Sequence, residues 1–271
     1  MRVAAIQMTS GHDIDANLEV AGRFLEEAAR AEVVLAALPE NFAFMGQNSG
    51  DKRVIAEPDG AGRIQNFLSD TARRLKIWIV GGTVPLRQGA DGRVAAASLL
   101  YKSDGQRAAR YDKIHLFDVD VPGSTESHRE SAHTVAGRDP RVVETPIGKL
   151  GLAVCYDMRF PELFRVMSRQ GADLFVVPSA FTVPTGKAHW ESLLRARAIE
   201  NLCGLIAPAQ SGMHPNGRET YGDSMIIDHW GNVLARMATG QGCVVADIDT
   251  AARMDARARF PALEHRVIYN T

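Results

Sequence analysis

Residues 149–163 read Lys149-Leu-Gly-Leu-Ala-Val-Cys155-Tyr-Asp-Met-Arg-Phe-Pro161-Glu-Leu163. The apolar run up to Val154 has the composition of a buried strand, and it delivers a thiol to its carboxyl end. A turn follows, and Pro161 suits the first position of a helix, where its missing N–H costs nothing. Strand, turn and helix in that order are an α/β signature. In α/β sheets ligands gather outside the carboxyl ends of strands, so the thiol stands where a nucleophile is useful. A buried cysteine by itself more often packs as a small hydrophobe, and this one needs other evidence before it is given chemistry.

Strand-like and helix-like segments alternate on both sides of that stretch. Arg2–Met8 reads as a strand, and 16–31 as an amphipathic helix with Asp13 or Asp15 available to cap it. The run 33–38 reads as a buried strand ending at Pro39-Glu40-Asn41, 64–75 as a helix and 77–84 as a strand carrying Gly81-Gly82. Segments 95–102 and 107–111 form a hairpin pattern around Ser103-Asp104-Gly105. Residues 115–140, with Pro122-Gly123, Ser124, Gly137 and Asp139-Pro140, show little periodicity and read as a long loop, a feature more often functional than accidental. Beyond Cys155 come a helix over 161–170, a strand over 173–178 and a helix over 187–201. Strands follow at 204–209, 224–228, 233–236 and 244–248, with Asp228-His-Trp-Gly-Asn232 as a hairpin turn. The tail, 250–271, is polar and reads as a segment packed against another part of the molecule. No repeat, linker or low-complexity run divides the chain, which reads as one domain over residues 1–271. The alternation gives α/β layers; two sheets with helices outside and one wide doubly wound sheet both fit.

Bulk properties narrow the class of protein. At 271 residues, 45% hydrophobic and 23% charged, the chain can bury a sizeable core without staples. Its 31 basic and 32 acidic residues balance to a net charge of −1, which gives no reason to expect nucleic acid or an anionic membrane as partner. Three scattered cysteines, Cys155, Cys203 and Cys243, make no disulfide framework and no CxxC pair for zinc or redox work, so a reducing compartment, the cytoplasm, is expected. The amino terminus is too short an apolar run for a signal peptide, and no apolar stretch is long enough to span a bilayer.

Two other strand ends carry residues out of place. Glu40 follows Leu35-Ala-Ala-Leu-Pro39, where a carboxylate is costly unless it has a partner or a task. Lys113, in Arg110-Tyr-Asp-Lys-Ile-His-Leu-Phe117, keeps apolar company, and a desolvated lysine holds its charge only beside a carboxylate. A thiol, a lysine and a carboxylate form a coherent set. The thiolate attacks, a nearby cation lowers its pKa, the carboxylate carries the proton and the lysine holds an oxyanion. That is acyl transfer from an amide.

Leu-Pro-Glu40-Asn-Phe, Tyr-Asp-Lys113-Ile-His-Leu-Phe and Ala-Val-Cys155-Tyr-Asp-Met-Arg-Phe-Pro-Glu-Leu resemble, in order and spacing, the three catalytic motifs of the nitrilase (carbon–nitrogen hydrolase) superfamily. The resemblance runs over essentially the whole chain. It implies a four-layer α-β-β-α sandwich, a homodimer or higher homo-oligomer, no metal and no organic cofactor. It also implies Glu40 as general base, Lys113 and the Tyr156 backbone N–H as oxyanion partners, and Cys155 as the residue that forms a thioester. A second glutamate in the loop after the lysine matches Glu130, with Glu126 as competitor. Phe181 and Thr182, in Pro178-Ser-Ala-Phe-Thr182, resemble pocket-lining positions, though Phe181 and Trp190 suit core packing equally well. Arg159 could meet a substrate carboxylate, against a salt bridge to Glu162 or Asp157 as the plainer expectation. His189 could pair with the thiol but reads as structural, and Arg195, Arg197 and Glu200 as an ion-pair network.

Within the superfamily, Pro-Ser-Ala-Phe, Ala-His-Trp-Glu-Ser-Leu-Leu-Arg-Ala-Arg and Thr-Tyr-Gly-Asp-Ser-Met are most similar to the deaminated-glutathione amidases. The expected activity is hydrolysis of a small carboxamide, with ω-amidase action on 2-oxo dicarboxylate monoamides, nitrilase and N-carbamoyl amidase activities as alternatives. An acyltransferase or amidotransferase subunit and a catalytically silent binding protein are readings from other classes.

Overall fold

The computed structural model describes residues 1–89, 91–122 and 126–268. Two sheets of seven and six strands stack face to face, which decides the architecture that the alternating pattern left open. In the first, Gly242–Asp247, Arg2–Gln7, Leu35–Ala37, Trp78–Val80, Val94–Tyr101 and Val84–Arg87 lie in that spatial order, and Arg107–Asp112 pairs with Val94–Tyr101. In the second the order is Val233–Met237, Ser224–Ile227, Gly204–Ala207, Leu174–Val176, Gly148–Leu152 and Arg141–Thr145. The centre of each sheet is parallel, as short strands joined through helices must be.

Alternation along the strands sorts the layers. Val3, Ala5, Leu35, Ala37, Val80 and Leu100 face the second sheet and share a core with Leu150, Leu152, Val176 and Ile206. Ala4, Ile6, Ala36 and Ile79 point the other way, onto helices α1 (Ile14–Arg30) and α2 (Arg63–Leu75). Helices α3 (Pro161–Arg169) and α4 (Val183–Asn201) cover the outer face of the second sheet through Phe164, Met167, Trp190 and Leu194. The result is the four-layer α-β-β-α sandwich. Asp13 rather than Asp15 caps α1, accepting from the Ala16 N–H at 3.2 Å. Arg197 pairs with Glu200 at 3.0 Å, whereas Arg195 pairs with Glu191.

Three sequence expectations are corrected. The run 77–84 is two strands, because Gly82 adopts φ +50° and turns the chain between Val80 and Val84. The 115–140 segment is not irregular throughout: Asp118–Asp120 pairs with Ser127–Arg129 and a 3-10 turn follows at Glu130–Ala132. Gly123, Ser124 and Thr125 of that segment lie outside the described residues, as do Tyr269, Asn270 and Thr271 of the tail. The tail also contains a helix, α5 (Thr250–Arg259), capped by Asp249 and fastened by Arg253 and Arg257, which both reach Asp173. Its only buried residue is Arg253, so it shows no apolar stripe to read. No helix of the described residues is long and apolar enough to cross a membrane.

Both sheets converge on one edge through a few buried polar groups. Gln210 donates to Ser10 Oγ at 2.8 Å and to the Glu40 carbonyl at 3.0 Å, tying the second sheet to the segment that carries Glu40. Gly82 closes against the same segment: a Cβ there would stand 2.0 Å from the Pro39 carbonyl oxygen. Gly82→Ala therefore strains a left-handed residue and displaces Pro39–Glu40 together. The expected loss is about 2 kcal/mol or more of stability, read as a lowered denaturation midpoint, with activity falling further than the stability loss explains.

Candidate active site

Cys155 has φ +48°, in the left-handed region that non-glycine residues rarely occupy. Three hydrogen bonds hold it there. Its own N–H donates to the Pro178 carbonyl at 2.9 Å, Val154 N–H donates to Asp157 Oδ2 at 2.8 Å, and Asp157 N–H returns to the Val154 carbonyl at 3.0 Å. Cys155–Arg159 is consequently a single 3-10 turn at the carboxyl end of Gly148–Leu152. Tyr156 is its second residue, and its N–H is one of the terminal donors that such a turn leaves without an internal acceptor.

Lys113 emerges from the carboxyl end of Arg107–Asp112 and is 2% exposed. Its Nζ donates to Glu40 Oε1 at 2.9 Å and to Glu130 Oε2 at 2.9 Å and Oε1 at 3.2 Å. Glu130 is aimed by the Phe117 N–H, which donates to Oε2 at 2.7 Å. Glu126 is instead turned to His128, 3.2 Å from its Nε2, so Glu130 is the carboxylate that meets the lysine. The Glu40 carboxylate and the Ala180 N–H both act on the Cys155 thiol, the first opposing and the second favouring its ionisation.

Burial opposes every charge here, and partners decide the outcome. For Glu40 the cost of burial is outweighed by Lys113 and Lys52 and by hydrogen bonds from Lys113 and Cys155, so its pKa falls below the ordinary value. For Lys113 burial is outweighed by Glu130 and Glu40, and its pKa rises well above the ordinary value. For Cys155 burial and the Glu40 charge together outweigh Lys113, and the thiol is pushed well up. The sequence-based expectation of a cation-activated thiolate is thus corrected: Lys113 acts in that direction but loses to desolvation and the adjacent carboxylate. The resting triad is carboxylate, ammonium and neutral thiol.

A cavity of about 960 Å³, counting its open mouth, lies over the thiol. Glu40, Lys113, Glu130, Cys155, Tyr156, Arg159, Phe181 and Thr182 all line it. Trp190 does not; it is core, with its Nε1 donating to the Asp223 carbonyl at 2.8 Å. The Arg159 guanidinium stands 5.8 Å from the Tyr156 ring and 5.3 Å from the Phe181 ring, with Nη1 3.3 Å from His189 Nδ1. Among the described residues no ion pair joins it to Glu162 or Asp157, because Asp157 is spent on Tyr111, His115 and Val154. His189 is exposed and faces Arg159, so it makes no Cys–His pair. Lys52, Arg218, Asn41 and His128 line the cavity without having been singled out from the sequence. Lys52, Arg218 and Asn41 come from turns and loops, where no periodicity marks an inward side chain, and His128 from the three-residue strand Ser127–Arg129, too short to show one. Among the described residues no cluster of His, Cys, Asp or Glu could hold a metal ion.

Residues 2–258 match the family described as "Carbon-nitrogen hydrolase". A protein named deaminated glutathione amidase from Synechocystis sp. (strain PCC 6803 / GT-S) is 43% identical over 267 residues, 97% of each chain. The crystal structure of the Caenorhabditis elegans NitFhit protein superposes with a TM-score of 0.91 at 38% identity, over 98% of this chain and 65% of that one. An amidase mutant from Nesterenkonia sp. AN1, titled as showing Michael addition of acrylamide at the active site cysteine, has a TM-score of 0.79 at 27% identity, covering 96% of this chain and 98% of that one.

The neutral thiol has a spectroscopic consequence. Burial pushes Cys203 and Cys243 up to about 12 as well. Thiolate absorbance near 240 nm is therefore expected to show no titration step between about pH 6 and pH 9, in wild type as in Cys155→Ala. A step near neutrality that disappears in Cys155→Ala would mean that Lys113 prevails over burial.

Proposed function

The chain belongs to the carbon–nitrogen hydrolase family and is an amidase, and on that premise we propose that it cleaves deaminated glutathione by attack of the Cys155 thiol. The observation that carries the catalytic part is the Lys113 ammonium held between Glu40 and Glu130 in the cavity that Cys155 also lines. The nearly full-length similarity to a protein of that name supports the substrate.

Because the resting thiol is neutral, attack and deprotonation are coupled: as sulfur bonds the carbonyl carbon, its proton passes to Glu40. The carbonyl oxygen takes the negative charge and lies against Lys113 Nζ and the Tyr156 N–H. The C–N bond then breaks, and Glu40 returns the proton to the departing nitrogen. A secondary amide, as in glutathione, releases an amine; a primary carboxamide releases ammonia. A thioester remains on Cys155. Water, giving a proton to Glu40, attacks it, and the acid product leaves as that proton returns to sulfur. Glu130 holds Lys113 in place throughout. Arg159, which pairs with no carboxylate among the described residues, meets a carboxylate of the acyl group. The same reading places the protein in the cytoplasm as two or more copies. The exposed Trp230 and Phe260, with ring centroids 5.8 Å apart, are apolar surface that such an assembly would cover.

The test is turnover of a panel containing deaminated glutathione, a 2-oxo dicarboxylate monoamide and a nitrile, with released amine and ammonia both assayed. Deaminated glutathione is expected to have the highest kcat/KM. Cys155→Ala should fall to background, and Glu40→Gln should lose about 10²- to 10⁴-fold in kcat. Activity surviving in Cys155→Ala would end the mechanism, and turnover of the nitrile alone would end the assignment of substrate. A separate measurement addresses Glu130: Glu130→Gln should lower kcat with little change in KM, because it removes a support of the oxyanion partner rather than a contact to substrate.

A further inference from the structure

Four cations and two carboxylates face one another in the cavity once internally satisfied pairs are set aside. Glu40 and Glu130 supply the carboxylates, and Lys113, Lys52, Arg159 and Arg218 the cations. Arg129 is excluded because its Nη2 is paired with Asp120, at 2.9 and 3.0 Å, and its Nη1 is used on the Val119 and His128 carbonyls. Lys113 is spent between the two glutamates, which leaves the floor with one net negative charge. Three cations remain above it, so the cavity carries two positive charges in excess.

Those three cations come from three different segments. Arg159 stands over Tyr156 and Phe181, beside His189. Lys52 comes from the 3-10 turn Ser49–Arg53, and Arg218 from the connection between Ser211–Met213 and Glu219–Tyr221. Burial opposes the Lys52 charge, Glu130 and Glu40 favour it, and Lys113 and, least of all, Arg218 repel it. Lys52 makes no hydrogen bond or ion pair among the described residues. Arg218 uses Nη2 on the Ala180 carbonyl at 2.5 Å, while its Nε is buried without a partner.

This second pole is built, not a chance meeting of surface chains. The His214 N–H donates to the Arg218 carbonyl at 2.8 Å, and the Arg218 N–H to Asn216 Oδ1 at 3.0 Å. Asn216 Nδ2 then donates to the Gly46 carbonyl at 2.7 Å, sewing the loop of Arg218 to the segment that leads into Lys52. His214 is buried, its ring held between the Ser10 carbonyl at 2.9 Å and Thr220 Oγ1 at 2.8 Å. Two cations that make no ion pair with a carboxylate among the described residues are thus fixed on an anchored wall, Lys52 drawn toward the charges of Glu130 and Glu40 and Arg218 tied to a backbone carbonyl. A substrate carboxylate there gives both a charge-assisted partner.

We propose that Lys52 and Arg218 form a second carboxylate subsite besides Arg159, so that the enzyme selects amides carrying a carboxylate on both the acyl and the leaving-group side. This rests on the amidase reading above and deepens it. Deaminated glutathione fits because both its ends are carboxylates, whichever of its amides is cut. A 2-oxo dicarboxylate monoamide, with one carboxylate, leaves this subsite unused.

The test compares kcat/KM for deaminated glutathione with that for the same compound carrying a neutral amide in place of its glycine carboxylate. Wild type is expected to prefer the free carboxylate by about ten- to a hundredfold, the scale of a lost charge-assisted hydrogen bond, mostly through KM. Lys52→Met and Arg218→Gln should each shrink that ratio to within about threefold of unity, Lys52→Arg should restore it, and Lys52→Glu should invert it. Equal rates on the two compounds in wild type, or an unchanged ratio in both variants, would overturn the subsite while leaving the amidase intact. Turnover of neither compound by wild type would instead bring down the substrate assignment on which the subsite depends. The ratio is an internal control for folding, since a variant that merely misfolds loses both rates together.

Discussion

A fully buried ammonium between two carboxylates organises this molecule. Removing Lys113 from water costs several kcal/mol, and only close, hydrogen-bonded counter-charges offset that. Glu40 supplies one from the end of Leu35–Ala37, and Glu130 the other from the 3-10 turn after the two-stranded ribbon. The segment after Lys113 must therefore double back within seventeen residues to present Glu130, and the ribbon of Asp118–Asp120 with Ser127–Arg129 is how it does so. Breaking such a pair from one side leaves an uncompensated charge and costs on the order of 3–5 kcal/mol. On the proposed mechanism these same contacts set the positions of base and oxyanion partner.

Asp157 joins that charge cluster to the nucleophile. Tyr111, Lys113 and His115 alternate along one extended segment, so their side chains share a face. Tyr111 Oη donates to Asp157 Oδ2 at 2.7 Å, and the His115 N–H and Nδ1 lie 3.0 and 2.7 Å from Oδ1. The residues on either side of Lys113 on its own face are thus fixed to one carboxylate. That carboxylate also accepts the Val154 N–H and shapes the turn that holds Cys155 in its left-handed conformation. Phe160, stacked on His115 at 3.7 Å and nearly parallel, closes the same unit. Lysine from one sheet and cysteine from the other are placed relative to each other by a single fully buried acid.

What could be read from the sequence follows from which signals are local. Glu40, Lys113 and Cys155 each sit just past an apolar run, so their polarity stands out against a strand end. Pro161 at the start of α3 and Asp13 before α1 are terminal signals of the same local kind. Helix α5 was hidden because arginines and an aspartate, rather than an apolar stripe, attach it. The strands around Gly82 were merged because both flanks are apolar and only the backbone angle separates them. Lys52 and Arg218 were invisible for a stronger reason: a cation in a turn is ordinarily solvated, and nothing within several residues of either announces that the chain folds it over a cavity. The thiol's protonation was misjudged because proximity to lysine is legible in a motif, whereas desolvation is a property of the assembled core.

The neutral thiol and the charged cavity are two consequences of one economy. A thiolate resting beside Glu40 would place two anions in contact in a buried site, and burial with carboxylate repulsion prevents it. In the proposed mechanism ionisation is deferred until an acyl carbon is in reach and the proton can move to Glu40 as the S–C bond forms. On that proposal negative charge passes from Glu40 to the carbonyl oxygen, remaining within the field of Lys113 instead of being created anew. The floor therefore keeps one net negative charge from resting state to tetrahedral intermediate. Recognition charges higher in the cavity see the same potential beneath them at every stage, and they can be chosen for the ends of the substrate without disturbing the chemistry at its centre.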